Sequence, residues 1–264
     1  MERETPERRS LRDRMRTIKQ LGKFAAQEAF RQLNQLGGER RHYPDDWWRQ
    51  RQKTAEQLME ERRANKSAHT LIVVAAMHPL QNGRPNEEFQ ARLLAGAHRA
   101  QELTTSGFTV EMWVPGSRHS DGDAADDITL SEAGLTFLKE TADLDDGIVL
   151  HGDDLNEYYK GEAGVYNSGD EAYIAAEYFK DTPALGNLEV ILGPAQQERW
   201  ELHAVANGVM PILFPITPTS GMTYHDKLSY AETTMVAYTR RIDPTWQAPN
   251  SFMAKVSRTL RRPA

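Results

Sequence analysis

Residues 164–179 read GVYNSGDEAYIAAEYF, and the first half of this stretch concentrates polar chemistry at one helix start. Asn167, Ser168, Asp170 and Glu171 fall within five positions, just ahead of an alanine-rich apolar run. Two readings compete for them. In the first, Ser168 caps the helix and Glu171 reaches back to it, an S-x-x-E capping box that requires no function. Thr129 and Glu132 repeat that spacing. In the second, the helix start faces a ligand, because its free N–H groups and positive end attract an anionic group. Asn167 then supplies an amide just before the cap, and Gly169 lets a ligand approach the backbone closely. The two readings combine if a capped helix also forms a pocket wall. Glu132 and Asp170 are the carboxylates expected to carry any proton transfer.

Other polar side chains join this candidate site. Arg92 and Arg199 stand out because residues 71–239 hold only 9 Lys/Arg against 26 Asp/Glu. A guanidinium binds carboxylates and phosphates bidentately, so each is either an anchor for an anionic ligand or one half of an internal ion pair. Asp153 and Asp154 are placed to hold ribose hydroxyls, or else form a solvated charge pair. His78 and His151 each end an apolar run and point toward the same edge, although a lone histidine is more often simply hydrogen-bonded. No metal is expected, since the eight histidines are scattered and no HExxH occurs. The chain also lacks GxGxxG after its first apolar run, GxxxxGK[ST] and GxSxG, which speaks against ordinary dinucleotide, P-loop and serine-hydrolase chemistry. With no cysteine there is no disulfide, thiolate metal site or cysteine nucleophile.

The elements that must position these residues alternate in type. TLIVVAAM (70–77) is a continuous, β-branched apolar run, as for a strand covered on both faces. Four more strands are expected at 108–114, 147–151, 188–193 and 209–216. Between them the 3.6-residue period predicts helices at 85–107, 129–140, 168 onward and 196–208, with a last one at 226–241. Phe89, Leu93, Ala97, Ala100 and Leu103 fall on one side of the first, and Ala172, Ala175, Ala176 and Phe179 on the inner side of the third. Strands alternating with helices imply a Rossmann-like three-layer α/β sandwich with a mostly parallel sheet of about five strands. Right-handed crossovers then bring the strand C-termini, and the polar segments after them, to one edge. Those segments are 78–85, 115–128, 152–168, 193–196 and 216–226.

Residues 1–66 read as a helical extension, with helices at 10–36 and about 44–65, the latter burying Trp47, Trp48, Ala55, Leu58 and Met59. Residues 67–242 form the α/β domain and 243–264 a basic tail. Charge follows this division: residues 1–70 balance at +6, residues 71–239 at −17 and residues 240–264 at +5. The basic ends are expected to fold onto the acidic body or to pair with another copy, making a homo-oligomer through the N-terminal helices. Nucleic acid is the less favoured partner, for want of interleaved aromatic residues. No apolar run reaches the ~20 residues needed to span a bilayer, and the charged N-terminus is not a secretory signal, so a cytoplasmic location is expected.

The order of the polar segments resembles the YdcF/SanA/ElyC-like family of bacterial proteins, over roughly residues 70–240. The family's G-x-P-s-x-x-l-x-x-R-l segment corresponds to Gly83, Pro85, Asn86, Phe89, Arg92 and Leu93, in the loop and helix that also carry His78 and Asn82. Its S-G-G turn corresponds to Gly116–Ser117, its s-E-A start to Ser131–Ala133 and its N-T-x-E-N-A start to Asn167–Ala172. Its V-T-S-x-x-H-x-x-R-A segment corresponds to Ile191–Trp200. This chain departs at Pro115, at Asp170 and Glu171, and at Leu192–Gly193, and it has Gln196 in place of the histidine; Arg199 is retained. The resemblance implies a Rossmann-like fold and a nucleotide-like ligand, with S-adenosylmethionine bound in at least one member; others serve cell-envelope maintenance, often through a membrane anchor. Ligand contacts are expected from His78, Asn82, Arg92, Gly116, Ser117, Asn167, Ser168, Glu171, Gln196 and Arg199. The alternative is a non-catalytic sensor or assembly protein that acts through its basic helical arm.

Overall fold

A computed structural model describes residues 45–217 except 67, 78, 79, 81, 118–127, 162, 163 and 166. The helices expected at 10–36 and 226–241, the basic tail and His78 lie outside the described residues. The chain runs α1 (Asp45–Lys66), β1 (His69–Val74), α2 (Glu87–Thr105), β2 (Thr109–Trp113), α3 (Leu130–Thr141), β3 (Val149–His151), α4 (Asp153–Lys160), α5 (Ser168–Asp181), β4 (Asn187–Leu192), a 3₁₀ turn (Pro194–Gln196), α6 (Gln197–Ala206) and β5 (Ile212–Pro215). The strands form one wholly parallel sheet in the order β3-β2-β1-β4-β5. This is a Rossmann-like α/β layout, as the alternating pattern predicts.

The central strand explains the two-sided core. Leu71, Ile72, Val73 and Val74 are all buried. Alternation sends Leu71 and Val73 to one face with Phe179, Trp200 and Met59, and Ile72 and Val74 to the other with Phe89, Leu93 and Leu138. All the inward residues expected on α2 and α5 are buried. At Gly96 on α2 an added Cβ would come 2.7 Å from a Val74 methyl group, so the helix lies against the sheet where only glycine fits. Gly96→Ala is expected to lower stability by about 1–3 kcal/mol through overpacking. The readout is the urea midpoint, and an unchanged midpoint would mean that α2 shifts without cost.

α1 shares this core. Ala55 and Met59 are buried, and Met59 joins the cluster of Leu71, Phe179 and Trp200. Arg51 donates to Ala206 O at 3.2 and 3.3 Å, and Arg62 donates to Lys180 O and Thr182 O at 3.3 and 3.4 Å. These guanidiniums cover the carbonyl ends of α6 and α5, where helices are electronegative and lack internal partners. Within the segment read as an extension, residues 45–66 therefore pack as part of the α/β body. Residues 153–160, expected as loop, form helix α4.

Candidate functional site at the carboxyl edge of the sheet

The strand order creates a switch point between β1 and β4. The chain leaves β1 toward β2 on one side and leaves β4 toward β5 on the other. Ligands of open α/β sheets bind in the crevice outside such a point. Polar side chains from three helices and the 3₁₀ turn meet at that point.

Arg92, on the second turn of α2, is 1% exposed. Its Nη1 donates to Ala75 O at 3.1 Å and to Gln196 Oε1 at 2.8 Å, and its Nη2 donates to Glu88 one turn earlier. Gln196 Oε1 also accepts from Gly193 N at 3.3 Å. One guanidinium thus ties the segment leaving β1 to the turn leaving β4. Arg92 is engaged here by protein carbonyls, an amide and an internal carboxylate. A Cβ at Gly193 would fall on Arg92 Nη2 and 2.9 Å from Glu88 Oε1, so this turn requires glycine.

Glu171 occupies the other side of the switch point. Its Oε1 accepts from Ala76 N at 3.2 Å and its Oε2 from Trp200 Nε1 at 3.0 Å. Burial pushes its carboxyl up; these two donors and the charges of Arg92 and Arg199 pull it back, leaving it at about 7. A carboxyl in that range exchanges protons readily at neutral pH.

The start of α5 differs from the expected capping box. Asn167, not Ser168, is the cap: its backbone is extended, and its Oδ1 accepts from Gly169 N at 2.8 Å and Asp170 N at 3.1 Å. Ser168 is the first helical residue and is buried. Glu171 is therefore the fourth residue of the helix rather than the third, and turns into the core. Asp170 accepts from Lys160 Nζ at 2.8 Å and Asn167 Nδ2 at 2.9 Å. A Cβ at Gly169 would lie 2.9 Å from the capping Asn167 Oδ1 and 3.1 and 3.3 Å from Cε1 and Nε2 of His203 of α6. Gly169→Ala is expected to cost about 1–3 kcal/mol. In a His203→Ala background it should cost less, the contact with Asn167 Oδ1 remaining, as a double-mutant cycle would read.

The remaining expected site residues fall around this floor or away from it. Gly116, at φ 117°, packs between Leu130 and Ala76, with a Cβ position 2.8 and 3.1 Å from their Cβ atoms. Ser117 pairs with Val165, its N donating to Val165 O at 2.9 Å and its Oγ accepting from Val165 N at 2.7 Å. These two residues pin the segment after β2 beside the start of α5. Glu132 is exposed on α3, where Thr129 caps the helix by accepting from Glu132 N at 2.9 Å. Asn82 is exposed in a left-handed turn with Gly83, at φ 53° and 74°.

No family model matches the chain, and no curated protein does. Among solved structures it is similar to NAD+ synthetase from Burkholderia pseudomallei, at 10% identity and a TM-score of 0.26, over 81% of this chain and 87% of that one. A score that low carries no argument, and the fold rests on the sheet itself.

The structure thus gathers Arg92, Glu171, Gln196 and Arg199 at the switch point, with Asn167 and Asp170 at its side. Glu132 and Asn82 are exposed. Glu88, Trp200 and His203 complete the group and were not singled out from sequence. Two of them carry a visible signal: Glu88 stands four residues before Arg92, and His203 four after Arg199, each pair on one helix face. Among the described residues, no cluster of His, Cys, Asp or Glu is placed to hold a metal ion, and no helix is long and apolar enough to cross a membrane.

Proposed function

We propose that the chain binds a small nucleotide-like molecule by its anionic end at the carboxyl edge of β1 and β4, with Glu171 as the proton-transfer group. The observation that carries this reading is a buried carboxyl near neutral pKa at the sheet's switch point, flanked by two buried arginines. Glu171 replaces Asp170 and Glu132 in that role, because Asp170 is engaged by Lys160 and Glu132 lies in solvent. S-adenosylmethionine is the first candidate ligand, on the resemblance to the YdcF-like family. A second reading, a binding protein without catalysis, draws on the engagement of both Arg92 Nη atoms by protein groups.

The test is a thermal-shift and calorimetric screen against S-adenosylmethionine, S-adenosylhomocysteine, nucleotides and nucleotide sugars. A ligand at a hundred times its dissociation constant should stabilise the fold by about 2.7 kcal/mol. Asn167→Ser, which keeps a capping oxygen but removes the amide, should weaken binding without loss of fold. Binding retained in Glu171→Gln while turnover is lost supports the enzyme; binding without turnover in the unaltered chain supports the second reading. No shift with any compound at about a millimolar removes both.

A further inference from the structure

A second polar cluster lies on the face of the sheet covered by α5, between β1, β2 and β3, away from the switch point. Glu111 of β2 is its centre. His69 of β1 brings Nε2 to 2.8 Å from Glu111 Oε1. On the other oxygen, Oε2, His151 of β3 places Nε2 at 2.7 Å, and Tyr178 of α5 donates its hydroxyl. The second ring nitrogen of His151, Nδ1, lies 3.1 Å from Asp154 Oδ2 of α4. Asp154 also accepts from Gly152 N through Oδ1 at 2.5 Å. Tyr159 of α4 meets the Tyr178 ring edge-on and donates to Asp181 of α5 at 3.0 Å. Five elements therefore meet around one imidazole and one carboxylate.

The geometry dictates a charge. An ionised carboxylate only accepts hydrogen bonds, so a histidine between two of them must donate from both nitrogens. That form is the imidazolium. When the ring loses one proton, it keeps only one of the two bonds and ceases to screen Glu111 from Asp154. The strand that depends on this ring is weakly held: β3 is an edge strand paired over three residues, with Val149 half exposed. The turn that follows it borders the carboxyl edge, where Trp113 Nε1 donates to Gly152 O at 3.3 Å and Thr129 Oγ1 donates to Asp153 Oδ2 at 2.6 Å.

We infer that His151, clasped between Glu111 and Asp154, is a proton-operated latch that fastens β3 and α4 to the sheet in its charged form and loosens the 149–160 segment when neutral. The ionisation tendencies agree. Burial pushes His151 down, but Glu111 and Asp154 together hold it above its ordinary value of 6.5. Burial pushes Glu111 up, but the hydrogen bonds from His151 and Tyr178 bring it to about 2. The histidine's contribution is complete below 6.5 and is lost as pH rises through its higher folded value; that of Glu111 is present above 4.5 and is lost as pH falls toward 2. The latch is therefore tightest between 4.5 and 6.5, the ordinary values of the two groups, and opens on the alkaline side.

The test combines nitrogen NMR of the histidine rings with amide hydrogen exchange on the full chain across neutral pH. His151 should titrate above its ordinary range, with both ring nitrogens protonated in the acid form. Protection of the 149–160 amides, corrected for intrinsic exchange, should fall by about tenfold as that titration proceeds. Asp154→Asn, on an exposed position, should move the titration and the loss of protection together to lower pH. His151→Gln should make protection of this segment independent of pH. A His151 that titrates at or below the ordinary value, or protection that does not follow its titration in the Asp154 variant, overturns the latch.

Discussion

Replacing Arg92 by methionine is expected to destabilise the fold by about 3–5 kcal/mol, because it removes the cation from a buried charge pair. Methionine keeps the apolar stem of the side chain, so the loss reports the guanidinium rather than a cavity. That guanidinium binds Glu88, Gln196 and the carbonyls of Ala75 and Ala76 at once. No point charge can reproduce the fork, so Arg92→Lys should recover less than half of the loss. Against a total stability of about 5–15 kcal/mol, a change of this size removes a large share of what keeps the domain folded. Joint replacement of Glu88 and Arg92 by leucine and methionine should restore about 2 kcal/mol relative to Arg92→Met, since a buried pair removed whole costs far less than one partner removed alone. Urea unfolding of the three variants measures all of this. An Arg92→Met protein within about 0.5 kcal/mol of the parent, the usual scatter of surface substitutions, would show that Arg92 does not join the two segments.

The parts of the structure that follow from local pattern were legible in the sequence. Leu71–Val74 had to be a strand with two covered faces, and Phe89, Leu93, Ala100 and Leu103 had to face inward, because hydrophobic period reports burial directly. Helix α4 escaped for the same reason. Its sequence, DDLNEYYK, buries only Leu155 and Asn156, too few to set a period. The cap of α5 shows how finely local signals can mislead. Asn167 and Ser168 are both strong caps, and a one-residue shift rotates each following side chain by about 100°. That rotation takes Glu171 from a capping partner of Ser168 to a buried position at the switch point. Gly169 is ambiguous for a related reason, since a glycine in front of a ring looks the same in sequence as a glycine in front of a ligand.

What remained hidden depends on strand order. Alternating strands and helices predict a parallel sheet but not that β1 lies between β2 and β4. Only that order sets Arg92 of α2 against Gln196 after β4, and Glu171 of α5 against the end of β1. It also brings His69, Glu111 and His151 side by side, from three strands whose sequences gave no sign of a shared charge. The two clusters divide the labour of the polar interior: one joins the loops at the switch point, and the other holds the sheet's edge.

Glu171 provides the sharpest pH test of the switch point. Its carboxyl lies at about 7 in the folded chain against 4.5 as the ordinary value. A raised carboxyl favours the folded state at low pH, and that contribution is lost as pH rises from 4.5 through 7. At about 1.4 kcal/mol for each pH unit of separation, the loss amounts to about 3 kcal/mol. Glutamine at this position cannot ionise, but it offers only one acceptor to the two donors, Ala76 N and Trp200 Nε1. At pH 5 the Glu171→Gln protein should thus be less stable than the parent by about 1–2 kcal/mol, the ordinary cost of one lost buried hydrogen bond. At pH 8 the parent has taken on the cost of its buried charge and the variant has not, so the gap should close or reverse. Other titrating groups, His151 and Glu111 among them, are common to both proteins and cancel in the difference. Urea midpoints at the two pH values decide the matter. A gap that stays constant would mean that Glu171 does not change its charge across neutrality, and the role of proton carrier would pass from it.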